Sequence, residues 1–333
     1  MLVISQEDVV RLLSVGECID LMAGALAAMA RGESLLPLRT VVRLPQGVDA
    51  FAVMPAYVGG PAALGAKVIT IFPGNHGTAF DSHQGAVLLF DTVNGSLEAV
   101  LDATPVTAIR TAAVSAVATR LLARPDADDL AILGSGVQAR MHLEAIPAVR
   151  RIDRVRLWSR NRDHAQALAR VAFEKLDRRV EVVDTAQDAV RDASIVCTTT
   201  SARSPILQGE WLAAGAHVNV VGASTADSRE LDSHAVARAR LFVDRRESAL
   251  NEAGDILIPL QEGVITASHI RGEIGELLTG RAVGRQDARE ITLFKSLGLA
   301  IEDMAAARYI VDRARATGAG SEIELGGHRH ENA

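Results

Sequence analysis

The sequence predicts a mixed α/β protein in which a parallel, doubly wound sheet follows an N-terminal α+β part. Three observations carry this. The first is Leu130–Leu133, an apolar run long enough for a buried strand and too short for a helix, followed by the glycine turn Gly134-Ser135-Gly136-Val137-Gln138-Ala139. The second is the texture from Asp129 onward, where short apolar strands alternate with helical patterns, as parallel sheets covered on both faces require. The third is the texture of the first hundred residues, where strand-like pieces follow one long helix with no helix between them.

Size and composition suit this reading. The chain has 333 residues, which fits about two domains. Hydrophobic residues make up 48% and charged residues 23%, so a sizeable core can form. The net charge of −6 argues against nucleic-acid binding. The two cysteines, Cys18 and Cys197, lack metal-ligand spacing and read as small buried hydrophobes in a reducing compartment. The first residues, 1–8, show no basic n-region and no signal-peptide core, and no apolar run reaches the ~18 residues of a membrane span. A cytoplasmic location with no membrane partner is expected.

Taken in order, residues 1–4 form a short strand, and Ser5 caps the helix after it. Cys18, Ile19, Met22, Leu26 and Met29 recur at helical spacing within 15–31, and Gly32 ends that helix. Strands are expected at 39–44, 50–57, 64–72, 86–91 and 97–102. The Asn94-Gly95 turn joins the last two as a hairpin. Residues 107–122, rich in alanine, make a buried helix that Pro125 breaks. Strands then fall at 130–133, 155–158, 180–183, 195–199, 217–221 and 241–243, with helices between them at 164–176 and 185–191. A helix ends near Gly280, and a last helix covers 299–316. The tail from Thr317 is polar and Gly-rich, and its final residues are expected to fray.

The glycine turn has a chemical reading. Gly134 permits a sharp turn, Gly136 has no Cβ to hold a pyrophosphate away, and Ala139 lets the helix pack close to the strand. The helix N-terminus offers free N–H groups and a positive dipole end. A second strand, Arg154–Trp158, arrives about twenty residues after the first glycine, where a Rossmann unit needs it. A nucleotide site is the leading reading; a glycine turn with no ligand is the alternative. After the second strand, Ser159-Arg160-Asn161-Arg162 offers no carboxylate for a ribose hydroxyl. A serine and two arginines suit a 2′-phosphate, which favours NADPH, with NADH possible. A solvated turn is the bland alternative.

Three cations stand in apolar sequence: Arg39, Lys67 in Leu64–Phe72, and Arg110 in Thr107–Ser115. A lysine inside an apolar strand either faces water or meets an anion, because burying an unpaired ammonium is too costly. Brought together, the three would clamp a substrate carboxylate. His76 and His83 show no metal spacing, so no metal is expected. His76 and His217 read as structural, and His328 and His330 carry no role. Glu252 and Asp255 suit a helix cap better than catalysis.

Seven segments recur in order: Gly65–Val68, Ser82–Phe90, Ala108–Ala116, Ile132–Ala139, Pro205–Trp211, Val221–Leu231 and Phe294–Gly298. In these the chain resembles the ornithine cyclodeaminase/mu-crystallin family over nearly its whole length, closest to the mu-crystallin (ketimine reductase) branch. The resemblance implies a Rossmann dinucleotide-binding domain, 118–299, inserted into an α+β substrate-binding and dimerisation domain, 1–117 plus 300–333, in a homodimer built through the N-terminal strands. It implies that Arg39, Lys67 and Arg110 hold the carboxylate of an imino or amino acid. It places the cofactor against Gly134, Ser135, Gly136, Val137, Gln138, Ser159, Arg160, Arg162, Thr200, Ser201, Val221 and Ser296, with His83 and Arg110 on the nicotinamide side.

One departure bears on the reaction. The cyclodeaminases carry an aspartate two residues after the glycine of the Val221-Gly222 motif; here that position is Ser224, and the next carboxylate is Asp227. A serine hydroxyl cannot take a proton as a carboxylate does at neutral pH. The resemblance therefore implies reduction of a cyclic or linear α-imino acid, such as Δ1-pyrroline-2-carboxylate or Δ1-piperideine-2-carboxylate, to the L-amino acid. Lys67, Asp227 or water supplies the proton. The alternatives are ornithine cyclodeaminase, alanine dehydrogenase, iminosuccinate reductase, or a non-catalytic protein that binds NADPH or a small ligand.

Overall fold

The computed structural model describes residues 1–45, 47–75 and 78–325; His76, and residues 326–333 with His328 and His330, lie outside the described residues. The chain divides into two compact units, residues 1–110 with 299–333, and residues 111–298. Among the described residues no single helix is long and apolar enough to cross a membrane.

The first unit opens with β1 (Leu2–Ile4), α1 (Gln6–Leu12) and α2 (Val15–Ala30). Ser5 caps α1, and a reciprocal Ser14–Glu17 capping box starts α2, so both helices begin where a side chain replaces missing partners. Gly32, at φ +79°, follows the end of α2. Next come β2 (Ser34–Leu35), β3 (Thr40–Arg43), β4 (Ala50–Gly59), β5 (Ala62–Ile71), β6 (His83–Phe90) and β7 (Leu97–Asp102). The Asn94-Gly95 hairpin forms as expected: Asp91 Oδ1 accepts from the Val93 and Asn94 N–H groups at 2.7 and 2.9 Å. Gly95 takes φ +76°.

α3 (Ala103–Leu122) starts four residues before the alanine-rich run suggests, because Asp102 Oδ1 accepts from the Thr104 N–H at 2.8 Å and begins it earlier. The chain crosses from the first unit to the second inside α3, between Arg110 and Thr111.

The second unit runs through β8 (Asp129–Leu133), α4 (Val137–Ala145), β9 (Arg154–Trp158), α5 (Arg162–Leu176), β10 (Glu181–Val182), α6 (Ala186–Val190), β11 (Ile195–Thr198) and β12 (His217–Val220). It continues with α7 (Ser233–Arg238), β13 (Ala239–Val243), α8 (Arg246–Glu252), α9 (Gly254–Gln261), β14 (Ile270–Glu273), α10 (Ile274–Leu278) and β15 (Ile291–Lys295). The sheet order is β10-β9-β8-β11-β12-β15-β13-β14, and every pairing is parallel. Alternate residues of one strand feed opposite cores. Ala131 and Leu133 pack with α6 and α7, while Leu130 and Ile132 pack with α4 and α5, which makes the sheet doubly wound.

Strand order reverses beside β8: β9 lies on one side and β11 on the other. The glycine turn thus leaves the sheet at its switch point, where such sheets place a ligand crevice. Strands β14 and β15 were not among the expected strands. β15 enters the middle of the sheet, between β12 and β13, although it comes last in the chain.

The chain then returns to the first unit with α11 (Ala300–Thr317) and β16 (Ser321–Glu322). That unit's sheet runs β16-β1-β7-β6-β5-β4-β2, with β3 also on β4. Among the described residues, only the β1–β7 pairing of this sheet is parallel. One face buries Ala50, Ala52, Met54, Ala56 and Val58 of β4 with Val87 and Leu89 of β6. α11 lies across β4, β5 and β6. Gly65 makes this approach possible: a Cβ there would sit 1.9 Å from Leu88 O and 2.8 Å from Met304 Sδ.

Candidate active site

The glycine turn of the second unit has the features a dinucleotide needs. Gly134 adopts φ +124°, and a Cβ on it would lie 2.7 Å from Thr199 O. Gly136 N-caps α4 with no side-chain cap, and a Cβ on it would meet nothing within 4 Å. Its backbone borders open space beside an uncapped helix start, which an anion can approach. Ser135 Oγ and Ser159 Oγ lie 2.8 Å apart and tie the turn to the end of β9.

Around the same strand ends lie Thr200, Ser201, Val221 and Ser296. The Val221 N–H donates to Thr198 O and the Ser296 N–H to Val220 O, both at 3.0 Å. The Ser296 hydroxyl is buried without a hydrogen-bond partner, an orphan that a ligand at this edge would satisfy. The residues present therefore fit a dinucleotide. The arginines after β9 differ in disposition. Arg162 pairs with Asp184. Asn161 is spent capping α5, and Arg160 is exposed. Val137 is exposed and Gln138 half-buried in the first turn of α4.

Three buried charges that sequence reasoning did not single out for this site hold the loops at these strand ends. Glu230 accepts from the Thr198 and Thr200 hydroxyls and from the Thr200 and Gly222 N–H groups, each at 2.7 Å. Burial, and then Asp255, push its pKa up. Asp255 accepts from the Glu230 and Leu231 N–H groups and pairs with Lys295 Nζ at 3.0 Å. It thus anchors a loop as well as sitting in the first turn of α9. Asp244 accepts from the Leu297 and Gly298 N–H groups and so holds the turn after Ser296.

In the first unit, register aligns a row across the sheet: Met54, Lys67, Val87 and Leu101 pair in sequence. Arg39, just before β3, extends this row, since Thr40 pairs with Val53. Lys67 therefore sits in mid-sheet and is only 1% exposed. Its Nζ meets Asp303 Oδ2 at 2.8 Å. Arg110 reaches the same carboxylate through Nε at 3.1 Å and Glu302 through Nη1 at 2.9 Å. Burial, opposed by Asp303 and reinforced by Arg110 and Arg39, lowers the Lys67 pKa to about 8. Burial also raises the nearby Cys18 thiol.

The sequence pointed to the cations but not to the two carboxylates that meet them. The available signal was the adjacent pair Glu302-Asp303 in the first turn of an otherwise small and apolar helix start. His83 opens β6 on the same sheet face as Lys67, exposed, with Nδ1 3.1 Å from Ser82 Oγ. Asp227 stands on an exposed loop, paired with Arg203 and accepting from Thr225 Oγ1 at 2.7 Å. His217 is buried between Thr292 and Asn219, and its pKa falls to about 3 through burial and Arg285. Among the described residues, no three His, Cys, Asp or Glu side chains converge as a metal site.

Known proteins resemble this chain over most of its length. Residues 1–318 match the ornithine cyclodeaminase/mu-crystallin family. The ketimine reductase mu-crystallin of Mus musculus is 42% identical over 294 residues, 87% of this chain and 90% of its own length. A Δ1-pyrroline-2-carboxylate reductase of Bacillus cereus is 38% identical over 326 residues, 98% of this chain and all of its own. The structure of the Thermococcus litoralis Δ1-pyrroline-2-carboxylate reductase in complex with NADH and L-proline superposes with a TM-score of 0.95 at 38% identity, covering 97% of this chain and 100% of that one. The chain, with its switch-point glycine turn and its buried cation–carboxylate cluster, belongs to the ornithine cyclodeaminase/mu-crystallin family.

Proposed function

We propose that the protein is an NAD(P)H-dependent imine (ketimine) reductase. Its substrate is a cyclic or linear α-imino acid such as Δ1-pyrroline-2-carboxylate or Δ1-piperideine-2-carboxylate, and its product is the L-amino acid. The observation that carries this reading is the buried Lys67–Asp303–Arg110 cluster, present in a chain whose other unit bears the dinucleotide turn. When bound, the reduced nicotinamide supplies the hydride that the imine carbon accepts. The residues of the chain do the rest. Arg39, Lys67 and Arg110 hold the carboxylate and so orient the C=N bond. Lys67 Nζ gives the proton that the nitrogen takes; with a pKa of about 8 it both holds and releases a proton near neutral pH.

The cyclodeaminase alternative wants a carboxylate at position 224, which is serine, and the nearest one, Asp227, is an exposed partner of Arg203. NADPH is the favoured donor on the strength of Ser159 and the exposed Arg160. Unit 1 is the substrate-binding and dimerisation domain. Its exposed apolar side chains Val41, Val42, Leu44, Phe51 and Leu64 suit a homodimer contact. Two free, buried cysteines fit a reducing cytoplasm.

The test is consumption of reduced cofactor with a panel of cyclic and linear imino acids. Turnover of a cyclic ketimine, lost by at least a hundredfold in Lys67→Met and Arg110→Met, is the expected result (roughly the scale of losing general-acid and orienting groups). A wild-type protein inert toward every imine, or one that releases ammonia from ornithine, overturns it.

A further inference from the structure

The cation clamp accounts for Arg39, Lys67 and Arg110 but leaves Glu302 and Asp303 without a task. Both carboxylates have zero exposure, a costly place for charge unless it is paired. Asp303 is shared: Oδ2 takes the Lys67 ammonium and Oδ1 the Arg110 guanidinium. The helix that carries them, α11, has 18 residues and no side-chain cap on its N-cap residue Leu299. First-turn carboxylates there also meet the positive end of the helix dipole.

We propose that Asp303 is the positioning residue for Lys67, fixing its ammonium in place and in its charged form while Glu302 holds Arg110 beside it. Only the kinetic arm of this proposal rests on the reductase reading. An ammonium buried to this depth without an anion would shed its proton, and a neutral amine neither attracts a carboxylate nor protonates an imine. One carboxylate gripping two cations also fixes their spacing, so the substrate meets a preset fork. In each turnover Lys67 Nζ gives its proton to the imine nitrogen as the carbon takes hydride, and Asp303 favours its replacement from water.

The charges around Lys67 come from several elements. Arg39 beside β4 and Arg110 from α3 oppose its charge, while Asp303 supports it. Glu302 is engaged by Arg110, Cys18 lies on α2, and His83 is at the far end of β6. The other charges on α11 are engaged away from it: Arg308 and Arg315 with Glu98, Asp312 with Arg308, and Arg313 with Glu17.

The chain has only three lysines, Lys67, Lys175 and Lys295, so NMR of lysine-labelled protein reads each one, assigned by substitution. In the wild type one ε-carbon should titrate near 8. In Asp303→Asn that midpoint should fall by about one unit or more, with the alkaline limb of kcat/KM for the imine moving with it. KM for NADPH should hold within twofold, and Asp303→Glu should restore most of the midpoint. A Lys67 midpoint unmoved in folded Asp303→Asn, or an ordinary lysine midpoint in the wild type, overturns the proposal. Should Asp303→Asn fail to fold, Lys67→Met in the same chain decides. Recovery of the fold shows that the loss acted through the stranded ammonium, and no recovery overturns the proposal. If the wild type reduces no imine, the reductase reading falls, and the titration still judges Asp303.

Discussion

Arg160 and Arg162 look interchangeable in the sequence, two residues apart in one turn. The structure separates them, because Arg162 is paired with Asp184 at the surface. Such a pair is weak, but it already engages the Arg162 guanidinium, whereas Arg160 is exposed. Arg160→Ala should therefore raise KM for NADPH about tenfold, the worth of one charge-assisted contact, and leave KM for NADH within twofold. Steady-state kinetics with the two cofactors checks this; equal losses would mean that the residue reads no phosphate. At Lys67 the sequence left two readings, water or an anion, and burial against Asp303 decided for the anion. Local sequence could not decide, because the partner lies at the far end of the chain.

At the scale of elements, glycine shows how context sets the sign of a substitution. Gly16 and Gly24 lie inside α2, where an added Cβ meets nothing within 4 Å. Gly16→Ala and Gly24→Ala should each stabilise the protein by about 0.5–1 kcal/mol, the helix-propensity gain. Gly65→Ala should instead cost about 3 kcal/mol or more, since its Cβ would enter Leu88 O and press Met304, lifting α11 from β5. Denaturant unfolding measures all three. A neutral Gly65→Ala would mean that α11 does not bear on that strand. The elements with local signals were legible: the Ser5 cap, the α2 periodicity, the Asn94-Gly95 hairpin and the β8 turn. β14 and β15 were not, because apolar runs that short are told from helix pieces only by the sheet that receives them.

For the whole molecule, buried ionisable groups set the response to pH. His142 is held between Gln138 O and Ser115 Oγ, at 2.7 and 2.8 Å, and burial drives its pKa to about 4. His217 falls to about 3. The unfolded chain takes up these protons near pH 6.5, and the folded chain only well below. Between those values the unfolded state binds more protons, so stability rises with pH and is lost as pH falls from about 6.5 toward 4. Lys67 has the same sign higher up: its share of stability grows as pH rises from about 8 to 10.5. Glu230 works the other way, since a raised carboxyl pKa favours the folded state most at low pH. Melting curves of wild type and His217→Gln from pH 4 to 7 separate these terms. The variant should show a shallower acid loss of Tm, and an unchanged slope would assign that loss to carboxylates.

By itself, the sequence determined what local physics governs: the period of each long helix, its caps, the tight turns, and a glycine turn whose form suits a pyrophosphate. It also marked the cations, because a charge in an apolar run is visible without a partner. Tertiary structure alone decided which charges meet. Asp303 reaches Lys67 across more than two hundred residues of intervening chain, and β15 enters mid-sheet after every strand it joins. Ion pairing depends on separation in space, and the spacing of residues along the chain does not encode it.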